Sequence, residues 1–294
     1  MSPKTNLLTS LQQYTKVASR SSAEVIAGYS TSFGWATKLL GKTEREHVRN
    51  IYALVRVADE IVDGAADEAL RGAIGIDPHL MLDRLEQETY AAIDCGFSTN
   101  LVVHAFASSA RYAKIERAII RPFFASMRMD LTQRLHDKRS FENYVYGSAE
   151  VVGLMCLRVF LVGEKLTNEQ RKDFEDGAKA LGSAFQKVNF LRDLSADFDK
   201  LGRSYFPLIR VDDFNNTERD RLVADIQADL DRAKQSLVLL PAGSKRAVSA
   251  AQLFFAALND KIATTPANQL LRKRIRVNNA QKLVILARAY FGAI

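Results

Sequence analysis

Apolar residues recur at three- and four-residue steps along runs reaching from Ser21 to Ala293, and sustained apolar/polar alternation is absent. The pattern predicts an all-α chain. Helix starts are legible: Thr43-Glu44-Arg45-Glu46 and Thr167-Asn168-Glu169-Gln170 fit the capping box, and Thr265-Pro266 places proline at a first helical turn. Gly64 and Gly202 stand where left-handed caps would end two acid-bearing helices. Gly, Pro, Asp and Asn gather at 64–78, 94–100 and 199–216, which predicts loops there. None reads as an interdomain linker, so residues 1–294 are expected to form a single domain.

Within this apolar background two segments repeat oxygen-bearing side chains every four residues: Asp59-Glu60-Ile61-Val62-Asp63, and Asn189 with Asp193 and Asp197. Positions four apart share a helix face, and like charges there repel. Leu54, Val55, Val57, Ala58, Ile61 and Val62 limit solvation by bulk water, which raises the cost further. A hard cation removes both costs. Mg²⁺, with Mn²⁺ as an alternative, takes oxygen ligands and is commonly held by one or two carboxylates together with substrate phosphates. The candidate ligands are therefore Asp59, Asp63, Asn189, Asp193 and Asp197. Tyr52 and Arg56 precede Asp59, and Gln186 precedes Asp193, by whole turns, so they share the acidic faces. Arg56 and Arg192 offer the planar fork that suits a diphosphate. For any one acidic pair the ordinary explanation is a solvated face or an ion pair, such as Arg56 with Asp59 or Glu60. Two clusters together favour a metal–diphosphate site.

With 294 residues and 47% hydrophobic content, the chain can bury a large core. A net charge of +7 attracts anions, be they nucleic acid, a membrane face or a phosphorylated substrate. Neither a basic face with stacking aromatics nor a helix-turn-helix is present, which argues against nucleic acid. No run reaches the roughly 18 apolar residues of a membrane span, and no apolar signal core stands at the N-terminus. A cytoplasmic protein, peripherally attached to membrane, is expected. The basic stretch Leu271-Arg272-Lys273-Arg274-Ile275-Arg276 reads as a solvated helix end or a contact for lipid headgroups. Cys95 and Cys156 read as core thiols, and the histidines show no metal spacing.

Three blocks carry a resemblance. The first runs from Ser30-Thr31-Ser32-Phe33 through Arg49 and Ile51-Tyr52-Ala53-Leu54-Val55-Arg56 to Asp63-Gly64. The second joins 127–131 to Tyr144-Val145-Tyr146-Gly147-Ser148-Ala149-Glu150-Val151-Val152-Gly153. The third holds Leu181-Gly182-Ser183-Ala184-Phe185-Gln186, Asn189, Leu191-Arg192-Asp193, Asp197 and Gly202-Arg203-Ser204-Tyr205-Phe206-Pro207. Together they resemble the squalene and phytoene synthase family over most of the chain. One departure is Glu150, where relatives usually carry a small residue.

The resemblance implies a helical bundle around a deep apolar cavity, with the acidic clusters facing each other at its mouth. It implies Mg²⁺-dependent, head-to-head joining of two isoprenyl diphosphates through a cyclopropyl diphosphate. Asp59, Asp63, Asp193, Asp197, Tyr52 and Tyr144 would be catalytic, and Ser30, Ser32, Arg56, Gln186, Asn189, Arg192, Arg203 and Tyr205 would contact substrate. Read without the resemblance, Tyr52 and Tyr144 are equally well core residues, and Ser30 and Ser32 helix caps. Asp59-Glu60 in place of paired aspartates points to the phytoene-forming branch, which uses two geranylgeranyl diphosphates and no NADPH. The farnesyl-using squalene and dehydrosqualene branch shares every ligand, whereas a non-catalytic assembly factor of this fold would have lost the acids. Small residues at Ala36, Thr37, Ala149 and Gly153 make room for a long tail or for close helix packing.

Overall fold

The computed structural model describes residues 8–70, 77–201, 205–207 and 213–292, and the side chains of all of these but 31–33, 67, 70 and 195–201. Among them are α1 (Ser10–Tyr29), α2 (Thr31–Thr37), α3 (Lys42–Val62), α4 (Ala65–Leu70), α5 (Pro78–Cys95), α6 (Leu101–Ala113) and α7 (Arg117–Thr132). Then come α8 (Lys138–Val145), a π-turn (Tyr146–Glu150), α9 (Val151–Phe160), α10 (Asn168–Leu201), α11 (Asn216–Leu237), α12 (Ala242–Ala263), α13 (Ala267–Leu270) and α14 (Asn279–Phe291). No β-strand occurs among the described residues, as the helical periodicity requires.

The Thr167 capping box forms: the Gln170 amide donates to Thr167 Oγ1 at 3.1 Å, and the Thr167 amide to Gln170 Oε1 at 2.9 Å. The box expected at Thr43 does not. Instead α3 begins at Lys42 behind Gly41, whose amide is bonded to the Gly243 carbonyl at 3.1 Å, so a tertiary contact sets the start. Pro266 is the N-cap of α13 and not part of its first turn. An unforeseen box, Thr9 with Gln12, starts α1 ahead of the first predicted run. Gly64 follows α3 but not in a left-handed conformation. The Glu60 carboxylate lies where a β-carbon at this position would sit. Gly202 lies outside the described residues.

Two apolar clusters fill the bundle. One joins α3, α6, α7 and α9 through Ile51, Leu54, Phe106, Ile120, Phe123 and Met155. The other joins α10, α11, α12 and α14 through Leu191, Ile226, Leu230, Ala250 and Ile285. The π-turn locks α10 between them. A β-carbon on Gly182 would lie 2.6 Å from the Ala149 carbonyl oxygen, and one on Gly153 would lie 2.6 Å from that of Ala178. Of the small residues read for a tail path or for close packing, Gly153 therefore serves close helix packing, while at Ala149 it is the backbone that Gly182 approaches. Thr37 is likewise buried, its hydroxyl bonded to the Gly34 carbonyl at 2.9 Å.

Of the two cysteines read as core thiols, only Cys156 packs against the core, where burial pushes its thiol up to about 12. Cys95 is exposed, at the surface end of α5. Because the thiolate is the reactive form, iodoacetamide at mildly alkaline pH should add one adduct to the native chain, at Cys95, and a second only in denaturant. Mass spectrometry checks this, and equal labelling of both native thiols would contradict it.

Candidate active site

On α3, Tyr52, Arg56, Asp59 and Glu60 fall on adjoining turns of one face. The Arg56 fork bridges both acids, with Nη1 on Asp59 Oδ2 at 2.5 Å and Nη2 on Glu60, and it lies 4.3 Å from the ring centroid of Tyr29. A shared cation thus relieves the carboxylate repulsion that the sequence spacing implies. Burial alone would raise the Glu60 carboxyl, but the Ala65 amide at 2.8 Å and Arg56 outweigh it and hold the group below its usual range. Tyr52 is shifted the other way: burial pushes its hydroxyl up against the pull of Arg56. Ser30 makes no side-chain cap bond on α2, and its hydroxyl pairs with Tyr52 instead.

Tyr144 is buried, and its hydroxyl donates to Asp130 Oδ2 at 2.9 Å. The Tyr205 hydroxyl donates to the other oxygen of the same carboxylate at 3.4 Å. Burial first, and then the charge of Asp130, raise the Tyr144 hydroxyl well above its ordinary value, and the charge of Asp63 acts in the same sense. Tyr144 is therefore a neutral donor at physiological pH. Phe190 stacks on Tyr205 at 4.1 Å, and His136 packs beside both tyrosines at 5.1 and 5.8 Å. Asp130 escaped the sequence reading. The signal available was a single carboxylate among the methionines and leucine of 127–131.

On α10, Gln186 Nε2 donates to Ser148 Oγ at 3.3 Å. Arg192 grips the neighbouring Asp193, Nη2 to Oδ2 at 2.6 Å, and Arg274 Nε reaches Oδ1 of the same group at 2.7 Å. Arg274 comes from the run read as a solvated helix end or a lipid contact, and 81 residues separate it from Asp193. Asn189 Oδ1 is buried and accepts no hydrogen bond among the described residues.

Tyr52, Val55, Arg56 and Asp59 of α3, Phe123 and Met127 of α7, Tyr144, Ser148 and Gln186 line one pocket of about 170 Å³. Five of the predicted residues, Tyr52, Arg56, Asp59, Tyr144 and Gln186, meet there. The apolar wall of Val55, Phe123 and Met127 was not foreseen. Asn189, Arg192 and Asp193 lie further along α10 and do not line this pocket. The side chains of Ser32 and Asp197, and Arg203 entirely, lie outside the described residues. Among the described residues no three of His, Cys, Asp and Glu converge as a metal cluster. The donors that are described, Asp59, Asp63, Asn189 and Asp193, offer oxygen only. The buried, unbonded Asn189 Oδ1 is an acceptor of the kind a hard divalent cation satisfies.

The bundle thus sets the arginine–carboxylate face of α3 in a pocket lined also by apolar side chains. The squalene/phytoene synthase family matches residues 26–281, and the chain belongs to that family. Its members are prenyltransferases that join isoprenyl diphosphates head to head and generally depend on a divalent metal. The chain is 29% identical over 288 residues to phytoene synthase 2, chloroplastic, of Oryza sativa subsp. japonica, spanning 92% of this chain and 69% of that one. It is 31% identical over 189 residues to the 15-cis-phytoene synthase of Paracoccus sp., covering 63% and 59% of the two chains. It is 26% identical over 207 residues to the 4,4'-diapophytoene synthase of Staphylococcus haemolyticus, covering 70% and 68%. The fold is that of a dehydrosqualene synthase crystal structure, with a TM-score of 0.76, 20% identity and coverage of 97% and 100%.

Proposed function

We propose that the chain, as one domain over 1–294, is a phytoene synthase that joins two geranylgeranyl diphosphates and releases both diphosphates. The observation that carries this is the pocket, whose lining combines Arg56 and Asp59 with Val55, Phe123 and Met127. A lining that is part charged and part apolar suits a substrate that joins a diphosphate to a hydrocarbon tail. The similarity to a phytoene synthase over 92% of the chain favours the C20 substrate, and the diapophytoene synthase relative supports farnesyl diphosphate as the second reading. Retention of the acids argues against a non-catalytic assembly factor.

Asp59, Asp63, Asn189, Asp193 and Asp197 would hold Mg²⁺ or Mn²⁺, which would supply charge neutralisation for the departing diphosphate. Arg56 turns its fork from Asp59 and Glu60 to phosphate oxygens, and Arg192, Arg274 and Arg203 bind diphosphate from the α10 side. Ser30 and Ser32 contact the same group from the start of α2. As the C1–O bond of one substrate breaks, the double bond of the second captures the allylic cation, and loss of a proton closes a cyclopropane ring. That cyclopropyl diphosphate loses its diphosphate in turn, and the rearranged cation sheds a second proton to give the coupled hydrocarbon. Tyr52, Tyr144 and Gln186, with Tyr205 behind them on Asp130, orient the reacting carbons, while Val55, Phe123 and Met127 exclude the water that would quench the cation. Among the described residues no helix is long and apolar enough to cross a membrane. The proposal places the protein in the cytoplasm, at the membrane surface, with no nucleic-acid partner.

The test is incubation of purified protein with geranylgeranyl or farnesyl diphosphate and Mg²⁺, with and without NADPH, followed by mass analysis. A C40 triene-centred hydrocarbon from the C20 substrate, formed equally without NADPH, is the expected product. A C30 product alone would transfer the assignment to the farnesyl-using branch, and absence of any hydrocarbon would overturn it.

A further inference from the structure

The helix α14 carries two apolar faces. Ile285 and Ala289 are buried in the cluster shared with α12, and Leu286 packs beside them. On the opposite side Ala280, Leu283, Val284, Ala287 and Phe291 follow at three-, one- and four-residue steps, and all are exposed. Leu283 is 60% exposed, Val284 58% and Phe291 81%. At 3.6 residues per turn these five occupy about 100° of the helix circumference with no polar residue among them. A surface helix ordinarily turns one such stripe inward and solvates the rest. Here a second stripe of the same width faces out, as at a docking surface.

The charge of the chain says what would cover it. Of the 41 Lys and Arg, 34 lie up to Asp260, as do all 34 Asp and Glu, and these cancel. The other seven cations, between 261 and 288, meet no acidic residue in their segment, so the whole +7 resides on the stretch that leads into and forms α14. Arg272, Lys273 and Arg276 are exposed, while Ile275 and Val277 between and beyond them are buried. This alternation turns Arg276 away from the same core that Ile285 and Ala289 face. A second copy of the chain is a poor partner, because a two-fold contact through this face would set its cations against themselves. An anionic lipid surface offers hydrocarbon to the stripe and phosphate to the cations.

We propose that the outward face of α14, together with Arg272, Lys273 and Arg276, docks flat on an anionic lipid surface. This deepens the membrane contact put forward above by naming the face that makes it. The same segment holds Arg274 against Asp193, so docking brings the acidic end of α10 beside the bilayer in which isoprenyl tails reside.

Co-sedimentation with phosphatidylcholine vesicles, alone or mixed with phosphatidylglycerol, tests it on the full chain. Wild type should bind the anionic vesicles at low salt, and the bound fraction should fall as salt screens the charges. Leu283→Ser/Val284→Ser/Phe291→Ser and Arg272→Gln/Lys273→Gln/Arg276→Gln should each weaken binding about tenfold or more. Every substituted side chain is exposed, so thermal melting and turnover of micellar substrate should stay at wild-type values. That second readout separates failure of this proposal from failure of the catalytic one. Wild-type vesicle binding by either triple variant overturns the proposal. So does a wild-type dimer that the apolar variant dissolves while neither protein binds vesicles, which would assign the face to a second copy.

Discussion

Asp193→Asn should lower kcat at least about a hundredfold while leaving the melting temperature close to wild type. The carboxylate is held by Arg192 at 2.6 Å and by Arg274 at 2.7 Å. Asp193 and Arg192 are about one-fifth exposed and Arg274 about half, so these are partly solvated ion pairs worth about 1 kcal/mol, and the asparagine oxygen still accepts one of the bonds. In the proposed reaction the same group neutralises a leaving diphosphate. Removing one preorganised electrostatic contact of that sort costs about 10² to 10³ in kcat. Asp59→Asn should behave alike, since Arg56 keeps its bond to Glu60. Both variants should also need more Mg²⁺ or Mn²⁺ for half-maximal rate. Steady-state kinetics across a metal titration, beside a melting curve, decides between the two roles. Near wild-type turnover in either variant would remove the carboxylates from the site, and a collapsed melting temperature with normal turnover would make them structural ion pairs.

Helical spacing made much of this site legible because it reports which residues share a face. It placed Tyr52, Arg56 and Asp59 together on α3 and gave the register of Gln186, Asn189 and Asp193 on α10. It carries no information on which face of another helix stands opposite. Arg274 therefore stayed hidden until the chain brought it to Asp193 across 81 residues, and nothing in the spacing marked Phe123 and Met127 as lining the pocket. The misplaced start of α3 has the same origin, since the bond from Gly41 to Gly243 is tertiary. Glu150, the departure from the family pattern, closes the π-turn half-buried. Burial and then Asp229 push its carboxyl up, while Lys179, Lys187 and Arg232 pull it down. Nearby cations thus temper an acid that its position alone would disfavour.

The π-turn supplies the other large expected effect. Gly182→Ala should destabilise the fold by about 1–3 kcal/mol and lower kcat/KM on the order of a hundredfold. The added β-carbon would lie 2.6 Å from the Ala149 carbonyl oxygen and 2.9 Å from both the Ala149 carbonyl carbon and Glu150 Cα. All three are backbone atoms, so no side chain can swing aside, and α10 must move off the π-turn. Gly182 stands on the same α10 face as Gln186, Asn189 and Asp193, at one, two and three turns before them. A shift at 182 therefore pulls Gln186 from Ser148 and carries the acids with it. Gly28→Ala is the control. That glycine also sits in a helix, α1, but a β-carbon there meets nothing within 4 Å. Its replacement should stabilise the fold by about 0.5–1 kcal/mol through helix propensity. Urea melts of the two variants should therefore move in opposite directions, with only Gly182→Ala losing activity. Wild-type stability and kcat/KM in Gly182→Ala would mean that α10 slides past the π-turn without cost, and that this contact does not set the position of Gln186.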